Sequence, residues 1–501
     1  MLPKYADVVI IGSGFGGSIA ALRFAQSDKK VVVLEMGERW SKHDFEHTQD
    51  PQYIYRLYRD YPSDYLIKPS PVVITQGMGV GGTSLVYCGI LERIPEDVWE
   101  NHPVFAKWPA GYSPDDLSEY YEKVEEKLNV HEPDEETSIM PIPPRARVMD
   151  DVCKNMGKTD QDTEDLIIRN LNVGIEPKQS EDYCRECGWC TMGCTFGAKN
   201  DMARTYIPEA EKAGAIFAER CKAMFITKAF RGYRVYYRST TSIDHDYHLV
   251  TGWPLDSIWA RRVVIAAGCP ESPALLMRSR RFLNRFPDKD LGQGISGNGD
   301  IPVGAIMPGD TGVNTFKGRP MSRICRKKND DFIIVDMHAP PIGPAVKYRG
   351  TFESLREEAA QFWGEKYKLT LKNYGKRLLI LAVISMDEGN ITIKLDANGN
   401  VVIRRSSSYT ISEVYEKLKD AFREMKADVG VTDYDLTGRL YTAHPIGGCK
   451  MGSVVDPKTL EVYNNPGLHV IDASVLPSAT VVGPALTVAA VAEKVMDEIL
   501  R

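Results

Sequence analysis

The segment that decides the fold is residues 6–17, which read ADVVIIGSGFGG. Its first half is a short apolar run typical of a buried parallel strand. A helical stretch follows at residues 18–26, and a second apolar strand at residues 30–34 ends at Glu35. The G-x-G-x-x-G pattern therefore lies in a complete strand–turn–helix–strand unit with an acid at the tip of the second strand. This context predicts a dinucleotide-binding site.

Each glycine of the pattern has its own predicted role. Gly12 permits the tight turn, Gly14 lets the backbone approach a pyrophosphate, and Gly17 lets the helix pack on the strand. The helix N-terminus supplies unpaired N–H groups and a partial positive charge for the diphosphate. Glu35 is predicted to bind the ribose hydroxyls of the adenosine half. The unit alone does not separate FAD from NAD.

Further motifs follow in a fixed order along the chain. They are QGMGVGGTSLV at 76–86, VVIAAGCPESPALL at 263–276, HPIGGCKMG at 444–452, LHVIDASVLP at 468–477 and GPALT at 483–487. In order and spacing they resemble the glucose–methanol–choline (GMC) flavoprotein oxidoreductases, and the cholesterol-oxidase-like bacterial branch is the nearest match. The resemblance covers residues 6 to about 497. It implies an α/β fold, with a Rossmann-type FAD-binding domain and a substrate domain built on an antiparallel sheet.

The resemblance also implies which residues hold FAD. The second glycine-rich loop lies along the pyrophosphate, other segments line the adenosine, and the C-terminal motifs meet the ribityl-phosphate and the flavin pyrimidine ring. The implied residues at the pyrophosphate are Gly79, Gly81, Gly82 and Ser84. Those at the adenosine are Ala223, Ala267 and Gly268, and those at the ribityl-phosphate and the pyrimidine ring are Asp472, Ala473 and Ala485.

His444 is the predicted catalytic base. Oxidising an alcohol removes a hydroxyl proton and a carbon-bound hydride, and the flavin takes the hydride. Histidine is the side chain most often used to accept such a proton near neutral pH. Among the nine histidines, only His444 precedes a Pro-x-Gly-Gly turn suited to presenting a side chain into a pocket. The resemblance places this residue over the flavin face, beside N5.

The sequence departs from the family pattern at the proton site. Most members have Asn or His as a second polar residue just before the proline of the last motif, but here that position is Gly483. Tyr87-Cys88 likewise replaces the Asn-Gly of cholesterol oxidases. Tyr87 or Tyr441 is a candidate for the missing hydrogen bond. The identity of the alcohol is therefore left open, and sterol oxidation is not carried over from the branch.

Four of the ten cysteines fall within eleven residues, in a Cys-rich loop at residues 183–199. They are Cys184, Cys187, Cys190 and Cys194. Two-residue gaps let neighbouring thiolates converge on one centre, as in iron–sulfur proteins. The placement resembles that of the three-iron cluster in flavin-dependent sugar dehydrogenases of the same family. A three-iron or four-iron cluster, zinc and free thiols all remain open.

These alternatives lead to different functions. With a cluster, the protein is an FAD-dependent dehydrogenase that passes electrons singly to an electron-acceptor protein. Without one, it is an oxygen-using alcohol or sterol oxidase. A third reading is a flavoprotein electron carrier or redox-sensing module, because the proton site is incomplete.

Composition sets the remaining expectations. The 501 residues carry a net charge of −6 and are 43% hydrophobic, which predicts a globular protein without a nucleic-acid partner. The chain has no apolar run long enough to cross a membrane and no room for a leader before the first strand, so a cytoplasmic location is expected. The predicted FAD-binding domain comprises residues 1–105, 195–300 and 435–501. The substrate domain comprises residues 106–194 and 301–434. Within it the sequence predicts a capped helix that begins at Ser113, alternating strand runs at residues 332–337 and 378–385, a hairpin turn at residues 396–400, and surface helices at residues 353–375 and 411–427.

Overall fold

In the computed structural model, the described residues are 2–47, 56–61, 72–134, 140–159, 165–239, 255–309, 311–338, 375–405, 413–431 and 440–501. The decisive segment forms β1 and the start of α1, at the centre of the largest sheet. β1 (Tyr5–Ile11) pairs in parallel with β2 (Val31–Leu34), and α1 (Phe15–Gln26) connects them. Residues 8–11 and 31–34 are all buried, which explains why both strands read as unbroken apolar runs.

This first sheet has the order β6-β2-β1-β9-β8-β7, and β18 adds a further parallel strand to β9. The added strands are β6 (Ile216–Ala218), β7 (Cys221–Ala229), β8 (Gly232–Ser239), β9 (Asp256–Ile265) and β18 (Leu468–Val470). β6, β2, β1, β9 and β18 are parallel, whereas β7 and β8 form an antiparallel extension. The carboxyl ends of the parallel strands therefore lie at one edge, where α/β sheets bind ligands.

The second sheet is antiparallel and has the order β16-β10-β13-β12-β11-β5. Its strands are β5 (Leu166–Asn170), β10 (Ile301–Ile306), β11 (Arg323–Lys327), β12 (Phe332–Met337), β13 (Leu378–Ser385) and β16 (Asp428–Val431). The antiparallel sheet that the resemblance implies is thus confirmed. The alternating runs at residues 332–337 and 378–385 form β12 and β13.

Smaller sheets complete the strand set. β3 (Tyr58–Tyr61), β4 (Val72–Gly77) and β17 (Leu440–Thr442) form one of them, and β14 (Ile391–Leu395) pairs with β15 (Val401–Arg405). The turn signal at residues 396–400 is the tip of this β14–β15 hairpin, as predicted.

The helices cover both sheets. They are α1, α2 (Glu96–Asn101), α3 (Pro114–Lys127), α4 (Pro144–Thr159), α5 (Tyr206–Lys212), α6 (Glu271–Ser279), α7 (Glu413–Glu424) and α8 (Ala485–Leu500). None of the helices in the described part of the chain is long and apolar enough to cross a bilayer. The surface helix predicted at residues 353–375 falls almost entirely outside the described residues.

Helix α3 lies in the predicted substrate domain but packs on a helix of the predicted FAD-binding domain. Its start is fixed by a capping box between Ser113 and Asp116, as the sequence predicts. In the structure α3 packs on α8, where the Tyr121 hydroxyl lies 3.0 Å from the Thr487 hydroxyl. The division into two domains with a boundary after residue 105 stays a prediction.

Candidate functional site

The first glycine-rich turn joins β1 to α1 and leaves an open face at Gly14. A Cβ at Gly12 would lie 2.3 Å from the Ala266 carbonyl oxygen, and one at Gly17 would lie 2.1 Å from the Gly12 carbonyl oxygen. Both positions therefore need glycine for close packing. A Cβ at Gly14 would meet nothing within 4 Å, and α1 begins at the next residue without a side-chain cap. This face fits the diphosphate of a dinucleotide.

Glu35, at the end of β2, ties the two glycine-rich loops together through Ser13. Its buried carboxylate accepts hydrogen bonds from the Ser13 N–H (3.1 Å), the Ser13 hydroxyl (2.7 Å) and the Gly37 N–H (2.9 Å). The Ser13 hydroxyl oxygen in turn accepts the Gly81 N–H at 3.0 Å. Burial raises the pKa of Glu35 despite these hydrogen bonds. Its contact with a ribose stays a prediction, to which the structure adds a role in holding both loops.

The second glycine-rich loop touches the first. A Cβ at Gly82 would lie 2.7 Å from the Gly14 Cα, and Gly79 contributes its carbonyl oxygen to the Ser13 hydroxyl at 3.3 Å. Ser84 is fully buried, and its hydroxyl donates to the Gly81 carbonyl oxygen (2.6 Å) while it accepts the Met202 N–H. Both bonds stay within the protein, so the Ser84 side chain shapes the loop.

Asp472 joins the turn after β9 to the segment after β18. One carboxylate oxygen accepts the Gly268 N–H (2.9 Å) and the Ser272 hydroxyl (2.5 Å). The other accepts the Ser474 N–H at 2.8 Å. This carboxylate thereby brings together predicted cofactor residues that are distant in sequence. They are Ala267, Gly268, Asp472 and Ala473.

Ala223 lies at a bulge of β7, close to the end of β2. Two residues before it, the Cys221 N–H donates to the Glu35 carbonyl oxygen at 2.7 Å. This position is on the side of the sheet predicted for the adenosine half.

His444 follows β17 and forms a hydrogen-bonded pair with Asp300. The His444 Nδ1 lies 2.8 Å from the Asp300 Oδ1. The other oxygen of Asp300 accepts the Thr442 hydroxyl (3.0 Å) and the Ala443 N–H (3.1 Å), so the carboxylate fixes the chain on the N-terminal side of His444. Side-chain exposure is 27% for His444 and 12% for Asp300.

The pair determines the protonation behaviour of His444. Burial alone would lower the pKa of His444, but the charge of Asp300 and its hydrogen bond reverse that effect, so the pKa is raised. A carboxylate beside Nδ1 favours the tautomer with its proton on Nδ1. Nε2 is then left as the proton acceptor.

Gly483 lies against this acceptor atom. A Cβ at Gly483 would come 3.5 Å from the His444 Nε2, which is ordinary van der Waals contact. Two residues later α8 begins at Ala485, whose N–H is at the free N-terminal end of the helix. The structure thus brings Gly483 into contact with His444, with Ala485 two residues further along the chain, and the roles of these residues toward a flavin stay predictions.

Tyr87 does not supply the second polar group of the proton site. Its hydroxyl donates to the Asn200 carbonyl oxygen, and its ring packs edge-on against Phe15 with centroids 5.6 Å apart. This is a correction to the prediction, because the single O–H of Tyr87 is already used. The side chain of the other candidate, Tyr441, lies outside the described residues.

The turn at residues 298–300 is the part of the site that sequence reasoning missed. The Asn298 amide donates to the Val482 carbonyl oxygen (2.8 Å) and accepts the Thr480 N–H (2.9 Å), which fixes the chain just before Gly483. Asp300, two residues on, holds His444. No local pattern marks Asp300, since it is 144 residues from its partner in sequence.

The Cys-rich loop folds around one cavity. All four cysteines line it, together with Lys199 and Arg319, and the cavity is partly open to solvent. The Glu186 N–H points at the Cys184 Sγ (3.4 Å), and the Ala198 N–H points at the Cys194 Sγ (3.2 Å). Backbone N–H groups directed at sulfur are typical of thiolate ligands in iron–sulfur proteins.

Burial disfavours the thiolate form of three of these cysteines. Burial raises the pKa of Cys184 to about 11 and also raises the pKa values of Cys187 and Cys190. A buried thiol with a raised pKa is a poor nucleophile. This disfavours a role for the loop as a set of reactive thiols.

Lys199 connects the Cys-rich loop to the second glycine-rich loop. Its Nζ is fully buried and donates to the carbonyl oxygens of Leu85 (2.7 Å), Tyr87 (3.0 Å) and Cys190 (2.7 Å). The loop therefore adjoins the predicted cofactor site. Neither Lys199 nor Arg319 was singled out from the sequence, because nothing near them in the chain marks them as lining a cavity.

The loop does not have the geometry of a single-ion site. No group of three His, Cys, Asp or Glu side chains within the described ranges is placed to hold one metal ion. Zinc needs its ligands at about 2.0–2.3 Å from one atom, so the described geometry gives it no support. An iron–sulfur cluster at these four cysteines stays a prediction.

Comparisons with known proteins agree on one family. Residues 6–281 and 398–492 match the N-terminal and C-terminal profiles described as GMC oxidoreductase. The chain is 25% identical to a cholesterol oxidase of Acinetobacter baumannii, over 98% of this chain and 94% of that protein. It is 27% identical to a cholesterol oxidase of Mycobacterium tuberculosis, over 99% and 91%. It is 24% identical to a long-chain-alcohol oxidase of Arabidopsis thaliana, over 98% and 66%.

Solved structures show the same fold. A pyridoxine 4-oxidase from Mesorbium loti superposes with a TM-score of 0.60 at 14% identity, covering 98% of both chains. A fungal aryl-alcohol oxidase superposes with a TM-score of 0.58 at 14% identity, covering 100% of this chain and 99% of that one.

Proposed function

Because the chain belongs to the GMC oxidoreductase family, we propose that it oxidises the CH–OH group of an alcohol with FAD as the hydride acceptor and His444 as the base. The observation that carries this proposal is the 2.8 Å hydrogen bond between Asp300 and the His444 Nδ1. It leaves Nε2, beside Gly483, as the only ring atom free to accept a proton.

The residues present fit FAD. The open face at Gly14, the N-terminus of α1 and the adjoining Gly82 form a cradle for a diphosphate. The N-terminus of α8 at Ala485 presents N–H groups two residues from Gly483. When bound, FAD accepts the hydride that leaves the alcohol carbon.

The protein's own contribution is to position and deprotonate the alcohol. The His444 Nε2 accepts the hydroxyl proton, and Asp300 stabilises the imidazolium that results. Proton removal from oxygen and hydride loss from carbon leave a carbonyl product. Asn298 holds the segment before Gly483 and so fixes the position of Gly483 beside the His444 Nε2.

The substrate class is proposed from relatives. Proteins of similar length are cholesterol oxidases, and a longer one is a long-chain-alcohol oxidase. We therefore propose an apolar alcohol, a sterol or a long aliphatic chain.

Two routes for removing the electrons remain as proposals. In the first, an iron–sulfur cluster at Cys184, Cys187, Cys190 and Cys194 takes electrons singly and passes them to an acceptor protein. The shared cavity, the N–H groups directed at sulfur and the Lys199 link to the glycine-rich loop support it. In the second, oxygen is the acceptor and hydrogen peroxide forms. The oxidase names of the relatives support this route.

Anaerobic reduction of the bound flavin tests the proposed reaction. The purified holoenzyme is mixed with cholesterol or a long-chain primary alcohol, and the loss of flavin absorbance is followed. We expect reduction by at least one of them, with a slower rate when the carbinol hydrogen is deuterium. His444→Asn should keep FAD and lose most of the reduction rate. If no alcohol reduces the flavin, the proposed reaction is wrong and the remaining interpretation is a flavoprotein electron carrier.

Reoxidation separates the two electron routes. Oxygen consumption with peroxide formation at the turnover rate would establish the oxidase and exclude the relay as the main path. Slow reaction with oxygen, together with rapid turnover on a one-electron dye, would establish the dehydrogenase.

A further inference from the structure

Arg319 is a buried cation on the wall of the cysteine cavity. The residue is 1% exposed, and none of its three guanidinium nitrogens has a hydrogen-bond partner among the residues that the structure describes. An isolated buried charge is strongly unfavourable unless an opposite charge compensates it. Such a group is retained only where a further anion completes the structure.

The carboxylates near Arg319 contribute charge but no hydrogen bond to it. Asp336 is fully buried, its Oδ2 lies 2.9 Å from the Arg145 Nε, and its Oδ1 accepts the N–H groups of Ser322 and Arg323 at 2.7 Å. Asp336 is therefore the hydrogen-bonded partner of Arg145, and its single charge is shared between Arg145 and Arg319. Glu186 is close enough to affect Arg319 electrostatically but makes no hydrogen bond to it.

The backbone around Arg319 is fixed against the Cys-rich loop. The Gly318 N–H donates to the Glu186 carbonyl oxygen at 3.0 Å. On the other side, Arg145 donates to the carbonyl oxygens of Lys317 and Arg319. The guanidinium is thus held at the cavity that Cys184 and its three companions line.

We propose that Arg319 is the counter-charge of an iron–sulfur cluster held by these four cysteines, and that it raises the reduction potential of that cluster. The inference rests on the cluster route of the proposed function. A cluster bound by thiolates carries net negative charge, and each added electron makes it more negative. A cation on the cavity wall stabilises the reduced form, since net charge and hydrogen bonds at the sulfurs are what tune such potentials.

The test compares charge removal at two arginines of the same cavity. Arg319→Met removes the buried charge at similar length, and Arg319→Lys keeps a charge. Arg185 also lines the cavity but is exposed to solvent, so Arg185→Met is the matched control. Each protein is purified anaerobically, iron and acid-labile sulfide are measured per FAD, and the cluster is titrated potentiometrically with EPR detection.

We expect three or four irons per FAD in the wild type with matching sulfide. Arg319→Met should keep FAD and either lose cluster iron or show a clearly more negative midpoint potential. Arg319→Lys should lie between Arg319→Met and the wild type, and Arg185→Met should match the wild type. If Arg319→Met does not fold, Arg319→Gln, also uncharged, replaces it with the same expectation.

The possible failures are distinguishable. Wild-type protein with FAD but neither iron nor sulfide would overturn the cluster route and this role of Arg319 with it, while leaving alcohol oxidation by His444 intact. A wild-type cluster whose iron content and potential are unchanged in Arg319→Met would overturn the role of Arg319 alone.

Discussion

Replacing Asp300 with Asn should change both the rate and the pH dependence of flavin reduction. The substitution keeps the shape of the side chain but removes the charge that lies 2.8 Å from the His444 Nδ1. A hydrogen bond to a charged group contributes about 1.5–3 kcal/mol. Because the imidazolium forms as the substrate proton moves, we expect kcat/KM to fall roughly 10- to 150-fold.

The pH profile gives the more specific signature. His444 must be neutral to accept a proton, so activity is lost as the pH falls through its pKa. Asp300 raises that pKa, whereas burial alone lowers it. In Asp300→Asn the acidic limb of kcat/KM should therefore move to lower pH, although the maximal value falls. The measurement is anaerobic flavin reduction across pH with one alcohol.

Asp387→Asn is the matched control for this experiment. Asp387 accepts the N–H groups of Gly297 and Gly299 on the same turn, at 2.7 and 3.3 Å, but has no hydrogen bond to His444. If the turn has only a structural role, kcat/KM should fall by similar factors in Asp300→Asn and Asp387→Asn, and the acidic limb of the pH profile should stay at its wild-type position. An acidic limb at the wild-type pH in Asp300→Asn would refute the proposed role of Asp300.

Other substitutions test neighbouring parts of the site. Gly14→Val should lose FAD, measured as flavin per protein, without lowering the melting temperature of the apoprotein, because its Cβ meets nothing within 4 Å. Gly17→Ala should instead lower the melting temperature, since its Cβ would lie 2.1 Å from a carbonyl oxygen; equal stability of both variants would contradict this. Gly483→Asn should raise kcat/KM several-fold by giving the substrate hydroxyl a second partner, with Gly483→Ala near the wild type; a loss in both would show that the space itself is needed. Lys199→Met should cost about 3 kcal/mol in unfolding free energy by denaturant titration, since three buried carbonyl groups lose their donor; a loss below about 1 kcal/mol would contradict it.

The parts of the fold with short-range signals were predictable from sequence. β1, α1 and β2 follow from an apolar run, a glycine pattern and a second apolar run that are contiguous in the chain. The β14–β15 hairpin follows from its own turn residues. In such segments the interactions that decide the structure lie within about 30 residues of each other.

The parts of the site that depend on distant contacts were not predictable. Asp300 and Arg319 look like ordinary charged residues of loops, and only the packing of the second sheet brings them to His444 and the cysteines. Tyr87 shows the reverse error, because a residue at a suggestive position in a motif finds its partner elsewhere. Likewise, the sequence of α3 shows an apolar face but not that α8 covers it.

The three carbonyl hydrogen bonds of Lys199 have a consequence for assembly. The Lys199 ammonium group donates hydrogen bonds to the carbonyl oxygens of Leu85, Tyr87 and Cys190, so it links the second glycine-rich loop to the Cys-rich loop. When one loop is ordered, the other is ordered more easily, and by thermodynamic linkage the coupling free energy is the same in both directions. If the four cysteines hold the proposed cluster, loading of FAD and of the cluster should accordingly be cooperative, and protein expressed with iron limited should also contain less FAD.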